Sequence, residues 1–187
     1  MILGLTGTNG AGKGSVVDYL VSKKGFAHYS VRAAIVEEVL RRGLELNRTN
    51  IGATGTDLRH TYGAAYFSTL FMSQAKEDGV DNYVIESIRA VAEAENIKKA
   101  GGFAIAVDAP IDIRYERITG RGSDTDKVSF EEFVEQEQAE YISKDPSDPA
   151  QMNFKVVMEQ ADYTLINDGT LDELGVKIEE MLIKLNS

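Results

Sequence analysis

Short apolar runs alternate with longer amphipathic stretches along this chain of 187 residues. Each run has the length of a buried strand, and the stretches between the runs carry apolar residues at helical spacing. The runs cover residues 2–5, 26–29, 82–85, 103–107 and 163–166. Alternation of this kind predicts an α/β fold with three layers, in which a five-stranded parallel sheet carries helices on both faces.

The amphipathic stretches differ in how clearly they predict helices. Apolar spacing and end signals are clear for a helix that starts near Lys13 and for residues 31–42, 90–100, 111–119 and 171–185. From residue 44 to residue 52 the pattern is lost, and it returns from about 54 to 76 with a break expected at Gly63. An acidic amphipathic helix is predicted from Ser129, and a short helix over residues 150–160.

Length and composition predict a single domain that spans residues 1–187. Within it, an insert at about residues 31–80 would receive a substrate. The net charge of −10 argues against a nucleic-acid partner. The absence of cysteine excludes disulfides, thiolate nucleophiles and cysteine metal sites. No apolar run approaches a membrane span and the start lacks a basic leader, so we expect a cytoplasmic protein without a membrane partner; monomer and homodimer both stay open.

The chain's most specific motif follows the first apolar run. Gly7-x-x-x-x-Gly12-Lys13 lies between a predicted strand and a predicted helix, the context that a phosphate-binding P-loop requires. Backbone N–H groups, the helix dipole and the Lys13 ammonium would together hold donor phosphates. The expected nucleotide-binding residues are Gly7, Asn9, Gly10, Ala11, Gly12, Lys13, Gly14 and Ser15. Gly14 occupies the usual position of a magnesium-binding hydroxyl, and the hydroxyl comes one residue later at Ser15.

A second constellation ends the third predicted strand. Glu86 lies where a carboxylate beside a P-loop can orient Mg²⁺ or its water shell, so Ser15 and Glu86 are the candidate metal residues, acting through water. Arg89, three residues later, has the planar fork that binds a phosphate with two hydrogen bonds. The alternative interpretation is that Glu86 caps the next helix and Arg89 is a solvated surface residue.

Arginines at spacings of three and four form a third constellation, Arg114, Arg117 and Arg121. We expect Arg117 and Arg121 to act in catalysis, within a mobile lid at about residues 117–128 that covers the transferring group. Pairing with nearby acids is the alternative for all three. In the insert, Arg48 and Arg59 are candidate substrate-binding residues, with a solvated surface role as the alternative. Structural roles are favoured for the two histidines, His28 and His60.

Together these motifs resemble the nucleoside monophosphate kinase branch of P-loop kinases. The loop is similar to its adenylate kinase form, and residues 86–89 resemble its Asp-Gly-x-x-Arg segment. The stretch 116–122 resembles the entry to its lid. Residues 161–170 and 130–133 are similar to archaeal dephospho-CoA kinase-like proteins.

The resemblance implies ATP and Mg²⁺ as cofactors, with Lys13, Arg89, Arg117 and Arg121 as catalytic residues. It implies Asn167 and Gly169 near the adenine of ATP. Ser30, Arg32, Arg48, Arg59, Glu86 and Arg89 are the residues expected to bind the substrate.

The residues at the end of the second predicted strand help to predict which acceptor the protein uses. Dephospho-CoA kinases carry an aspartate there that activates a ribose hydroxyl, whereas residues 28–30 of this chain read His-Tyr-Ser. A nucleotide phosphate is already an anionic nucleophile at neutral pH, so the sequence favours a nucleoside or deoxynucleoside monophosphate as the acceptor. A ribose hydroxyl is the alternative. A nucleotide-dependent switch without catalysis is a second alternative, although the Asn-Lys-x-Asp motif of GTPases is missing.

Overall fold

A computed structural model describes residues 1–120, 128–141, 145 and 147–187. Five strands form one sheet in the order β2-β3-β1-β4-β5, and every neighbouring pair is parallel. The strands are β1 (Ile2–Gly7), β2 (Ala27–Ser30), β3 (Tyr83–Glu86), β4 (Phe103–Asp108) and β5 (Tyr163–Ile166). The predicted parallel sheet with helices on both faces is therefore confirmed.

Helices connect the strands throughout the described part of the chain. They are α1 (Lys13–Lys24), α2 (Val31–Arg41), α3 (Arg48–Tyr62), α4 (Tyr66–Glu77), α5 (Val91–Lys99), α6 (Ile111–Thr119), α7 (Phe130–Tyr141), α8 (Phe154–Glu159) and α9 (Leu171–Leu185). None of the helices described is long and apolar enough to cross a membrane.

The two faces of the sheet bury separate apolar clusters, because alternate residues of a strand point to opposite faces. On one face, Leu3 and Leu5 of β1 belong to a cluster with apolar residues of α1 and α9. The other cluster joins Ile85 of β3 to residues of α2, α3, α4, α5 and α8. Each cluster contains completely buried side chains, so both helical layers are fixed to the central sheet.

Two helices differ from the sequence prediction by more than one residue at an end. Helix α3 begins at Arg48, six residues before the predicted start, because the Asn47 side chain accepts a hydrogen bond from the N–H of Asn50 and caps the helix. The predicted helix over residues 150–160 is shorter, since Asn153 caps α8 in the same way. The break at Gly63 is confirmed, because this residue ends α3 with a φ of 107°.

Candidate functional site

The register of the sheet brings residues that are distant in sequence to one edge. Glu86 lies opposite Leu5 of β1 on one side and opposite Ser30 of β2 on the other. In the same way Asp108, at the end of β4, is paired with Ile166. The loops that follow β1, β3, β4 and β5 therefore begin at the same carboxyl edge, where ligands bind in open α/β sheets.

The loop between β1 and α1 has the backbone conformation of a phosphate cradle. Gly10 and Gly12 have φ values of 82° and 87°, which favour glycine. A Cβ on Gly10 would lie 2.5 Å from the carbonyl oxygen of Arg114, and a Cβ on Gly12 would lie 2.3 Å from Nδ2 of Asn167. Because Gly12 is the N-cap of α1, no N-cap side chain competes with an anion for the first-turn N–H groups.

The ammonium of Lys13 lies against this loop. Its Nζ donates hydrogen bonds to the carbonyl oxygens of Gly7 at 2.8 Å and of Thr8 at 2.9 Å. The positive charge is therefore held beside the backbone groups that would contact donor phosphates, as the sequence motif predicts.

Glu86 is surrounded by basic side chains. Its Oε2 lies 3.1 Å from Nε2 of His28, which belongs to the neighbouring strand β2. This hydrogen bond lowers the pKa of Glu86, and the nearby charges of Lys13 and Arg32 lower it further against the opposing effect of burial. The site thus contains an anionic carboxylate close to the phosphate loop.

The loop after Glu86 positions Arg89 through its backbone. The N–H of Arg89 donates to Oε2 of Glu93 at 3.4 Å, and its carbonyl oxygen accepts from the N–H of Asn153 at 3.0 Å. Its guanidinium carbon lies 5.6 Å from the centre of the Phe154 ring. Helices α5 and α8 therefore fix the position of Arg89 from two sides.

Arg117 and the loop after β5 form the other part of the site. Nη1 of Arg117 donates to the carbonyl oxygen of Asn167 at 3.0 Å, and Nδ2 of Asn167 donates to the carbonyl oxygen of Ala11 at 2.8 Å. Next to them lies an open cavity of about 460 Å³. The residues that line it are Gly12, Ser15, Arg117, Asn167, Gly169, Thr170 and Leu171. The structure thus brings four of the predicted nucleotide-binding residues and the predicted catalytic residue Arg117 to one cavity.

Other sequence predictions have different outcomes. The substrate-binding expectation for Arg59 is corrected, because its side chain is only 1% exposed and its Nε donates to Oε1 of the fully buried Glu93 at 2.8 Å. The hydroxyl of Ser30 is the N-cap of α2 and accepts from the N–H of Ala33. Arg48 is exposed in the first turn of α3. Arg121 and lid residues 121–127 lie outside the described residues.

Asp108 is a site residue that the sequence reasoning missed. Its Oδ1 accepts hydrogen bonds from Oγ1 of Thr8 at 2.7 Å and from the N–H of Ala109 at 2.9 Å. The available signal was its position at the end of an apolar run that pairs with β1 in the sheet. Which strands are neighbours in the sheet is a tertiary property, however, and no local sequence pattern predicts that β4 lies beside β1.

Comparisons with known proteins agree with this architecture. The family model for the AAA domain matches residues 3–143. A UPF0200 protein of Methanosarcina mazei is 32% identical over 74% of this chain and 75% of its own length. The chain belongs to the AAA domain family and to the UPF0200 group. A UPF0200 protein of Methanococcus maripaludis is 29% identical over 98% of this chain and 97% of its own length. The UPF0200/UPF0201 protein of Archaeoglobus fulgidus is 35% identical, but the chain spans only 45% of its length.

Solved structures with similar folds include a protein named TT1252 and shikimate kinases. TT1252 from Thermus thermophilus has a TM-score of 0.60 and 22% identity, over 99% of this chain and 97% of that chain. Shikimate kinase from Acinetobacter baumannii, in complex with shikimate, has a TM-score of 0.60 and 16% identity over 98% and 93%. This UPF0200 chain therefore has a P-loop kinase-like fold. The finer resemblance to adenylate kinases stays a prediction.

Proposed function

We propose that this chain is a phosphotransferase that moves the γ-phosphoryl group of Mg-ATP to a nucleoside or deoxynucleoside monophosphate. The main support for this proposal is that the residues suited to the donor and those suited to the acceptor lie on different sides of the carboxyl edge of the sheet. The cavity beside Gly12 and Arg117 suits a donor nucleotide, whereas Arg32 and Arg89 belong to the side of β2 and β3. An in-line transfer needs a donor and an acceptor on opposite sides of the migrating group.

The residues have separate roles in this reaction. Lys13 and the loop N–H groups hold the donor phosphates, and Arg117 neutralises charge on the transferring group. Arg89 binds the acceptor phosphate with its guanidinium fork. Arg48 and Arg121 are further candidates for the acceptor and the transferring group, respectively.

The oxygen chemistry of the site fits a magnesium ion that accompanies ATP. Ser15 lines the donor cavity and Glu86 is an anionic carboxylate near Lys13, and both offer the hard oxygen ligands that Mg²⁺ prefers, directly or through water. Bound with ATP, the ion would neutralise charge on the β- and γ-phosphates.

A hydroxyl acceptor, such as the ribose of dephospho-CoA, is the second candidate function. It is favoured by the contact between His28 and Glu86, because an imidazole that is hydrogen-bonded to a carboxylate is suited to act as a general base. A similar fold occurs in a shikimate kinase solved with shikimate. A phosphate acceptor needs no such base, so the two functions differ in how they depend on His28.

The test is a screen of ATP consumption by the purified protein. The acceptors are ribo- and deoxynucleoside monophosphates, dephospho-CoA and shikimate, with Lys13→Ala as the inactive control and Lys23→Ala as the surface control. We expect ADP formation with a nucleoside monophosphate and little effect of His28→Ala. Turnover only with dephospho-CoA or shikimate, lost in His28→Ala, would establish the second candidate. Tight ATP binding without turnover would instead indicate a nucleotide switch.

A further inference from the structure

Arg114 is a buried arginine that lies behind the phosphate loop. It belongs to α6, and only 6% of its surface is exposed. Its own backbone forms part of the floor under the loop, since a Cβ on Gly10 would lie 3.0 Å from the Cα of Arg114. Burial of a guanidinium group is costly unless its hydrogen-bonding groups are satisfied, so its partners indicate why it lies there.

The guanidinium group joins three parts of the chain. Its Nε donates to the carbonyl oxygen of Ala109, after β4, at 2.8 Å. Its Nη1 lies 2.8 Å from both carboxylate oxygens of Glu137 in α7 and 3.4 Å from the carbonyl oxygen of Asn9 in the phosphate loop. Helix α7 is thereby connected to the loop backbone through a single side chain.

A second acidic residue contacts the same group. Oδ1 of Asp108, which accepts the hydrogen bond from Thr8, lies 3.7 Å from Nε of Arg114. Arg114 therefore contacts both residues that follow Gly7: Thr8 indirectly, through Asp108, and Asn9 directly, through its carbonyl oxygen. The guanidinium also neutralises two carboxylates that would otherwise lie behind a loop built to receive anions.

We infer that Arg114 is a positioning residue for the donor phosphates and that Glu137 orients it from α7. Arg114 fixes the peptide groups at the start of the loop and shields the phosphate site from Asp108 and Glu137. This role deepens the proposed function, because it requires that the loop bind ATP. It differs from a purely structural ion pair, since its loss weakens ATP binding even where the folded state is restored.

The test separates ATP affinity from stability. ATP titrations by calorimetry and thermal unfolding are measured for the wild type, Arg114→Met, Arg114→Lys and the double variant Arg114→Met/Glu137→Met. Arg114→Met should unfold at a lower temperature and bind ATP about tenfold more weakly or worse, the scale seen when a supporting contact behind a binding site is removed. Arg114→Lys, which keeps the charge but not the fork, should lie between this variant and the wild type.

The double variant decides between the two roles. It should regain much of the lost stability, because no buried Glu137 charge is left without a partner, while its ATP affinity stays weak. Met181→Ala, which opens a cavity in the α9 core, is the control for destabilisation alone and should bind ATP normally.

Three results would overturn the inference. Recovery of both stability and affinity in the double variant, or normal affinity in Arg114→Met, would make the ion pair merely structural. Failure of the wild type to bind ATP would remove the proposed function and this inference together.

Discussion

Nε2 of His28 lies 3.1 Å from Oε2 of Glu86, so a side chain of edge strand β2 contacts the carboxylate that ends β3. The hydrogen bond from His28 is the largest cause of the lowered pKa of Glu86. A carboxyl whose pKa is lower in the folded state than in the unfolded state stabilises the fold while it is ionised.

We therefore expect a specific pH dependence of the free energy of unfolding. The contribution of Glu86 should be fully present above its ordinary pKa of 4.5 and should be lost as the pH falls through its lower folded value. Urea unfolding of the wild type and of Glu86→Gln, from about pH 6 to about pH 3, measures the difference between them. The difference in the free energy of unfolding between the two proteins should decrease as the pH falls. When His28 is replaced by alanine in both proteins, this decrease should be much smaller. A difference independent of pH would contradict this prediction.

Substitution of Arg89 should weaken the binding of the acceptor and leave the binding of ATP unchanged. We expect Arg89→Met to raise the KM for the nucleoside monophosphate about 10- to 100-fold, as for the loss of a hydrogen bond to a charged group, while the dissociation constant of ATP stays unchanged. Steady-state kinetics with either substrate varied, together with an ATP titration, provide the measurement. Lys99→Met removes an exposed positive charge in nearby α5 and should leave both constants unchanged. Equal weakening of both substrates would argue against an acceptor role.

The buried pair of Arg59 and Glu93 predicts a large change in stability. Both side chains are at most 1% exposed, and Glu93 also accepts from the N–H groups of Arg89 and Ala90. Arg59→Met leaves a buried carboxylate without its partner, so it should lower the free energy of unfolding by about 3–5 kcal/mol.

The double variant Arg59→Met/Glu93→Leu tests the cause, because it removes both charges and should recover part of the loss in urea unfolding. A loss in Arg59→Met below about 1 kcal/mol, the scale of an exposed pair, would contradict the buried geometry.

Ser87 has a φ of 70°, a left-handed conformation, between Glu86 and the rest of the Arg89 loop. Glycine relieves about 1–2 kcal/mol of strain there but adds entropy to the unfolded chain. Ser87→Gly should therefore leave the free energy of unfolding unchanged or raise it by up to about 1 kcal/mol.

Ser87→Val, whose branched side chain is poorly tolerated at this φ, should instead be destabilised by about 1–3 kcal/mol. Denaturant unfolding of both variants gives the comparison. If valine were tolerated as well as glycine, the strained conformation would not exist in solution.

The fold was accessible from the sequence because its strands are short apolar runs and its helices carry periodic apolar faces. These signals are local, and the phosphate loop combines local signals with a specific motif. The beginning of α3 was missed because the residues after Asn47 include threonine, asparagine and glycine, which obscure the apolar spacing. Its cap is a side-chain contact with Asn50, which hydropathy does not record.

The sequence by itself determined the parallel sheet, the loop from Gly7 to Lys13, and the residue types that follow β3. Only the tertiary structure decided which charged side chains face a ligand and which are buried. Arg59 of α3 is paired with Glu93 of α5, and Arg114 of α6 lies between Asn9 of the phosphate loop and Glu137 of α7, because the fold brings these separate elements together. The sequence shows the charge and the length of each arginine side chain. It does not show which acceptor the side chain contacts, because that depends on how the helices, strands and loops pack together.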